Sequence, residues 1–216
     1  MTNTESSPFD WGRSGIAPER LGVGDARLGV TRDPQAARRL LRNAVLAESQ
    51  EGERQRVLAL LDEHGAALAD RSTAPAHLTG SALVVDAAGE RVVLLLHTKL
   101  QRWLQPGGHA DGDLDLAGVA LKEAGEETGI EGLEVVLPAV DLDVHRVDHR
   151  DPLGEHLHLD LRFVVLAPPG AVERPNHEST DLRWVTWAEL PDAVDEPGIL
   201  RLADAGRALL DALQVP

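Results

Sequence analysis

Apolar and polar positions alternate in different rhythms along the chain, and the changes of rhythm divide it. Residues 1 to about 30 show no sustained period and read as a mobile or loosely docked tail. Asp33-Pro34 then makes a helix start, with Asp as N-cap and Pro in the first turn. Leu40, Leu41, Val45 and Leu46 give an apolar stripe to about Ala47. A second helix is expected from Glu51 or Glu53 to about His64, with Val57, Leu58, Leu60 and Leu61 buried and Gly65 as its stop. Together, residues 31–75 are expected to form a helical hairpin and a linker that ends at Pro75, ahead of a main domain over 76–216.

From His77 the period falls to two. His77 to Asp86 and Arg91 to His97 read as strands around the turn 87–90. Lys99 to Leu104 leads into Pro106-Gly107-Gly108. A helix is expected over roughly Leu114 to Thr128. Leu133 to Leu137 and Leu142 to Val147 form either a strand pair or one bent strand. In Glu155 to Leu166 the alternation is strict: Leu157, Leu159, Leu161 and Phe163 share one face, and His156, His158, Asp160 and Arg162 the other. A short strand at Leu182 to Thr186, a small helix after Trp187 and a closing helix over Leu200 to Leu213 complete the pattern. Strands on both sides of a central helix, with helices at the end, predict an α/β/α sandwich around a mixed sheet.

The central helix carries an unusual polar face. At about 100° per residue, Glu126 falls roughly 60° behind Glu123 and Glu127 roughly 40° ahead of it. Three carboxylates on one stripe repel each other. A solvated surface would normally interleave them with cations. A hard divalent cation tolerates such a stripe, because it takes oxygen ligands and joins carboxylates to substrate phosphates. The opposite stripe, Ala117, Ala120, Leu121, Ala124 and Thr128, is small or apolar and suits close packing on a sheet. Gly129 stands where a left-handed C-cap belongs.

Taken with the glycine-rich loop before it, the stretch Gly108 to Ile130 resembles the signature of the Nudix hydrolase family, G-x5-E-x7-R-E-U-x-E-E-x-G-U, where U is a bulky apolar residue. Gly108, Glu123, Glu126, Glu127, Gly129 and Ile130 match. Leu114 stands in place of the early Glu, Lys122 in place of Arg, and Ala124 in place of a larger apolar residue. Asp113 or Asp115 is the nearest substitute for the missing carboxylate. The resemblance implies a metal-dependent hydrolase that cleaves a phosphoanhydride in a nucleoside diphosphate linked to another group. It implies Mg²⁺, with Mn²⁺ as an alternative, held by Glu123, Glu126, Glu127 and the carbonyl of Gly108. Lys122 is expected to orient the glutamates by charge, without the planar fork of Arg. The base is one of the signature glutamates or Glu178, in the loop before the Leu182 strand. Trp103 is expected either to wall the site or to pack over its loop. His109, His156, His158 and Arg162 are expected to line a substrate cleft beside the signature helix, with Arg162 forking onto a phosphate or ribose.

The substrate stays generic. Asp143 to Val147 holds no proline of the kind associated with ADP-ribose hydrolases. The chain has no tyrosine, and the NADH-type and coenzyme A-type motifs are absent. ADP-ribose or another nucleotide sugar is the default. Two other classes compete: a non-catalytic Nudix-like binding or regulatory module, and an isopentenyl-diphosphate-isomerase-like enzyme. Such modules commonly lose the glutamates, and all three are present here. The isomerase class uses several histidines, of which this chain has nine, but its main form relies on a cysteine, and there is none.

Composition narrows the partners. The net charge of −15 over 216 residues argues against nucleic acid or an anionic membrane surface. An acidic protein that handles a polyanion needs a cation between them, which agrees with the metal reading. Lacking cysteine, the chain has neither disulfide nor thiolate chemistry. It shows no signal-peptide pattern and no apolar run of transmembrane length. The expectation is a soluble cytoplasmic protein, with a homodimer among the arrangements open to it.

Overall fold

The structure is a computed structural model that describes residues 11, 15–147, 154–174 and 179–213. Its centre is one mixed sheet of eight strands. They are β1 (Glu19–Gly22), β2 (Ala76–Val85), β3 (Arg91–His97), β4 (Trp103–Leu104), β5 (Gly107–His109), β6 (Glu134–Val147), β7 (His156–Leu166) and β8 (Ser179–Thr186). The main path runs β1-β6-β7-β2-β3-β4, with β5 on β2 and β8 on β3. Only β2 and β7 are parallel, in register from Ala76↔Leu157 to Val85↔Leu166.

Helices cover both faces. On one side α1 (Pro34–Asn43), α2 (Glu51–His64) and α3 (Leu116–Thr128) share a core with Leu159, Leu161 and Phe163. On the other, α5 (Pro197–Leu213) packs Ile199, Leu202 and Leu209 against Leu83, Val164 and Val185. The short α4 (Leu190–Ala193) precedes it. The expected α/β/α sandwich is the fold observed.

Local chemistry explains the helix ends. Asp33 caps α1 by accepting from the Gln35 amide, with Pro34 opening the helix. The α2 helix stops at Gly65. Both helices lie on the same core as the signature helix α3, through Leu41, Val57 and Leu61.

Several expectations change. Residues 19–22 do not belong to a loose tail: β1 pairs with the β6 edge and buries Leu21. Four residues show no period, so only the partner edge reveals them. The segment 134–147 is one bent strand, whose register on β7 shifts between Val136 and Asp141, around Pro138. Proline cannot donate to the ladder. The signature helix begins at Leu116, because Asp115 is its N-cap. Leu114 is fully buried in the core. That position serves packing, which is why no carboxylate stands there.

Candidate active site

The α3 helix is pressed onto β2. A β-carbon at Gly80 would lie 2.8 Å from the carbonyl oxygen of Leu116, so helix and strand touch only because Gly80 has no side chain. Ala117, Ala120 and Ala124 make up the buried stripe. At the far end, Gly129 takes the left-handed conformation at φ 65° and its amide closes on Gly125.

This packing brings Glu123 and Glu127 against β5. Glu127 is 6 % exposed, and its Oε2 accepts from the Gly107 amide at 2.8 Å. The Glu123 carboxylate lies directly over Gly108, where a β-carbon would come within 2.5 Å of Glu123 Cδ. Any larger residue at 108 would displace that carboxylate. The Glu126 side chain turns outward and is 58 % exposed. Lys122 Nζ lies 3.1 Å from Glu123 Oε1 and 3.4 Å from Glu126 Oε2. Burial opposes the charge of Lys122, but the hydrogen bond to Glu123 and the charges of both glutamates raise its pKa. Lys122 therefore joins two members of the stripe.

Asp113 and Asp115 do not replace the missing signature carboxylate. Asp113 accepts from the amides of Thr31 and Asp115. Asp115 caps α3 by accepting from the Gly118 amide. Burial pushes its carboxyl up to about 6, and nearby Asp113 adds to the rise. Glu178 lies outside the described residues. Trp103 packs against the core under α5, and the Arg183 guanidinium carbon stands 4.0 Å from its ring centroid.

The polar face of β7 does not stand beside the signature helix. Leu159 and Leu161 face the α3 side, so His158, Asp160 and Arg162 face the other. Arg162 is only 5 % exposed. It donates to Asp160 at 2.6 Å, to Asp143 at 3.0 Å, to Asp141 at 3.3 Å and to the Gly198 carbonyl at 3.2 Å. Arg201 of α5 adds bonds to Asp141 and Asp143 at 2.7 and 2.8 Å. Gln50 reaches Asp141 at 2.6 Å. The expectation that Arg162 forks onto substrate gives way: its guanidinium is spent on binding β6, β7 and α5 together.

His109, His156 and His158 do come together, and two unforeseen residues join them. Across the sheet, the registers place His145 on β6, His158 on β7 and His77 on β2 in one row. Adjacent strands lie about 4.8 Å apart, which matches ring-centroid separations of 5.2 Å for His145–His158 and 4.8 Å for His77–His158. His109 stands 5.0 Å from His77, and His156 4.7 Å from it. Single histidines on separate strands carry no sequence signal until the registers are known. The signal that existed was the His-x-His spacing at 156 and 158.

Burial depresses His77 to about 4 and His158 to about 2, and the neighbouring rings add to both shifts. Burial also opposes the charge of His145, but its hydrogen bond to Asp143 and the charges of Asp160 and Asp143 raise it overall. Among the described residues, no helix is long and apolar enough to cross a membrane.

The family model described as NUDIX domain matches residues 75–204. No curated protein gives a significant match. A Caenorhabditis elegans Ap4A hydrolase in a binary complex is similar in fold, at 16 % identity and a TM-score of 0.51, over 62 % of this chain and 97 % of that one. A Clostridium perfringens NUDIX-family hydrolase gives 21 % identity and a TM-score of 0.49 over the same shares. The NUDIX domain of Shewanella oneidensis NrtR, solved with ADP ribose, gives 19 % identity and a TM-score of 0.43, over 62 % of this chain and 87 % of that one. The matched segment covers more than half the chain and contains the whole Gly108–Ile130 signature, so the protein belongs to the Nudix family, with a domain of the Nudix pyrophosphohydrolase type.

Proposed function

We propose that the protein hydrolyses a phosphoanhydride bond in a nucleoside diphosphate linked to another group, with ADP-ribose or another nucleotide sugar as the default substrate. The observation that carries this reading is the seating of Glu123 over Gly108 and of Glu127 on the Gly107 amide. The donor set fits a hard cation: three carboxylates and a backbone carbonyl, all oxygen. Glu123, Glu126, Glu127 and the Gly108 carbonyl would hold Mg²⁺ or Mn²⁺. Bound there, the ion supplies charge neutralisation at the transferred phosphate and lowers the pKa of the attacking water.

The remaining work falls to the chain itself. Gly107 and Gly108 keep the loop low enough for the carboxylates to reach across it. The Gly107 amide fixes one oxygen of Glu127 and so orients its carboxylate. Lys122 holds Glu123 and Glu126 near each other, which lowers the cost of gathering like charges. The similarity to an Ap4A hydrolase adds dinucleoside polyphosphates to the substrates worth assaying.

The test is a panel of ADP-ribose, nucleotide sugars and dinucleoside tetraphosphate, scored by product identity with and without Mg²⁺ or Mn²⁺. Metal-dependent turnover of at least one compound is expected, with most of it lost in Glu127→Gln, since a lost ligand removes several kcal/mol of charge stabilisation. Binding without turnover across the panel would favour a regulatory module instead. Retention of more than half the rate in Glu127→Gln would reject the glutamate assignment.

A further inference from the structure

We propose that His77, His109 and His158 form a second metal site, for a nitrogen-preferring transition ion and zinc foremost, on the opposite face of the sheet from the signature glutamates. One ligand nitrogen from each ring can be chosen so that all three lie within 4.8 Å of one another. Metal–nitrogen bonds near 2 Å put neighbouring tetrahedral ligands about 3.3 Å apart, so modest inward movement of the rings closes the site. Imidazole favours zinc, copper, iron and nickel, whereas Mg²⁺ prefers oxygen. The two faces of the sheet therefore present different ligand chemistries.

The hydrogen-bond pattern points the same way. His77 is 0 % exposed, yet neither of its ring nitrogens makes a hydrogen bond. The Thr73 backbone is near enough to favour the protonated ring, but no hydrogen bond of normal geometry joins them. Nε2 of His156 and of His158 is likewise buried and unpartnered. Buried polar atoms without partners are uncommon, and each costs about 1–3 kcal/mol. Four nitrogens of this kind belong to three neighbouring histidines. An ion held by His77 and His158 would give one nitrogen of each a partner.

The rings around the site are themselves held. His156 Nδ1 lies 2.7 Å from the Gly154 carbonyl and donates to it as the Nδ1–H tautomer. His145 Nδ1 is held by Asp143 at 2.8 Å. Three imidazoles leave a further coordination position, which an open site gives to water or an anionic group.

The position of β5 separates this site from the glutamates without distancing it. Gly108 faces Glu123, while Gly107 faces Ser81 on the other side. His109 follows Gly108 in the same strand and therefore points with Gly107. One three-residue strand thus contributes to both faces.

The site does not depend on the proposed hydrolysis, so the two fail separately. Full-length protein stripped with a chelator is titrated with Zn²⁺ by calorimetry, and with Co²⁺ followed by its visible absorption. One equivalent of Zn²⁺ is expected, bound equally by wild type, by a Glu126→Gln/Glu127→Gln double variant and by the control His64→Gln. His109→Gln and His158→Gln, each more open than His77, are expected to weaken binding by at least about 100-fold. Losing a ligand costs more than the ~10–100-fold attached to losing a ligand's hydrogen-bond partner. Millimolar Mg²⁺ is expected not to compete. Zinc binding that survives both histidine substitutions, or that disappears with the glutamates, would overturn the proposal. So would the absence of stoichiometric binding to folded wild-type protein.

Discussion

The polar face of β7 has two halves built from one alternating pattern, and they are finished differently. At one half, Arg162 and Asp160 meet Asp141, Asp143 and Arg201, and opposite charges engage each other within hydrogen-bond distance. At the other, His156 and His158 meet His77, and buried nitrogens are left without partners. The difference comes from what covers each half. The first turn of α5 closes over the arginine, where a β-carbon at Gly198 would lie 3.1 Å from Arg162 Nη1 and 3.2 Å from Asp143 Oδ1. The histidine half receives His109 from β5, and a carboxylate meets it at the edge, where Asp143 holds His145. Buried charges paired in a closed network serve the fold. Buried donors and acceptors without partners leave room for a ligand.

The largest effect is expected from opening the closed half. Arg162→Ala removes one partner from each of three carboxylates, of which Asp141 and Asp160 are almost fully buried. Breaking a buried pair from one side costs about 3–5 kcal/mol, or roughly 10 °C in Tm for a chain of this size. Arg162→Lys restores the charge but not the three-way fork, and is expected to recover only part of that loss. Thermal unfolding decides it: a Tm within 1 °C of wild type in Arg162→Ala would remove the clamp from the argument.

The second effect uses pH to load the histidine half selectively. An unfolded histidine takes up its proton near pH 6.5, whereas folded His77 does so near 4. Between those values the unfolded chain binds more protons, so stability falls as the pH drops. At pH 5, His77 alone accounts for about 2 kcal/mol of that loss. His145 has the opposite sign, because its folded pKa is raised. Its contribution is full below about pH 6.5 and is lost as pH rises through the folded value. Asp143 is depressed chiefly by His145, Arg162 and Arg201 against the effect of burial, and its contribution is lost only in stronger acid. Urea unfolding from pH 5 to 8 in the presence of a chelator separates these terms. His77→Gln is expected to reduce the acid-side slope, the rest of which His158 supplies, and His145→Gln to flatten the alkaline side. Parallel curves for all three proteins would mean that the rings do not titrate with folding.

The same two halves show what the sequence could and could not display. Strict alternation from Leu157 to Phe163 made the strand and its two faces plain. It did not say which layer each face would meet, because that depends on the parallel register with β2 and on where α5 docks. Arg162 looked like a ligand for an anion because its partners Asp141, Asp143 and Gly198 lie away from it in sequence. The glutamates were legible for the converse reason: Glu123, Glu126 and Glu127 belong to one helix, whose geometry is local. His77 and His145 each sit alone in an apolar strand, and only the registers assemble them. β1, β4 and β5 are too short to show a period. Leu114 appeared as a defect in the signature and is a core residue.

The smallest effect concerns a buried carboxylate that lacks the treatment given to Asp141 and Asp160. Asp115 Oδ2 is buried with no hydrogen-bond partner, and its other oxygen caps α3. An unfolded aspartate ionises near 3.8, and folded Asp115 near 6. Between these values the folded state binds more protons, so stability falls as pH rises through that window and the cost persists above it. Asp115→Asn keeps an oxygen for the cap and removes the charge. The shift limits the gain to about 3 kcal/mol. The helix dipole's preference for an anion at this end takes back about 0.3–1 kcal/mol, and the weaker amide acceptor takes back more. A net stabilisation of about 1 kcal/mol at pH 8, vanishing below pH 4, is the expected balance. Urea unfolding at the two pH values measures it. A variant less stable than wild type at pH 8 would show that Asp115 is worth more as a charged cap than it costs as a buried ion, and the contrast with the clamped carboxylates would then rest on Arg162 alone.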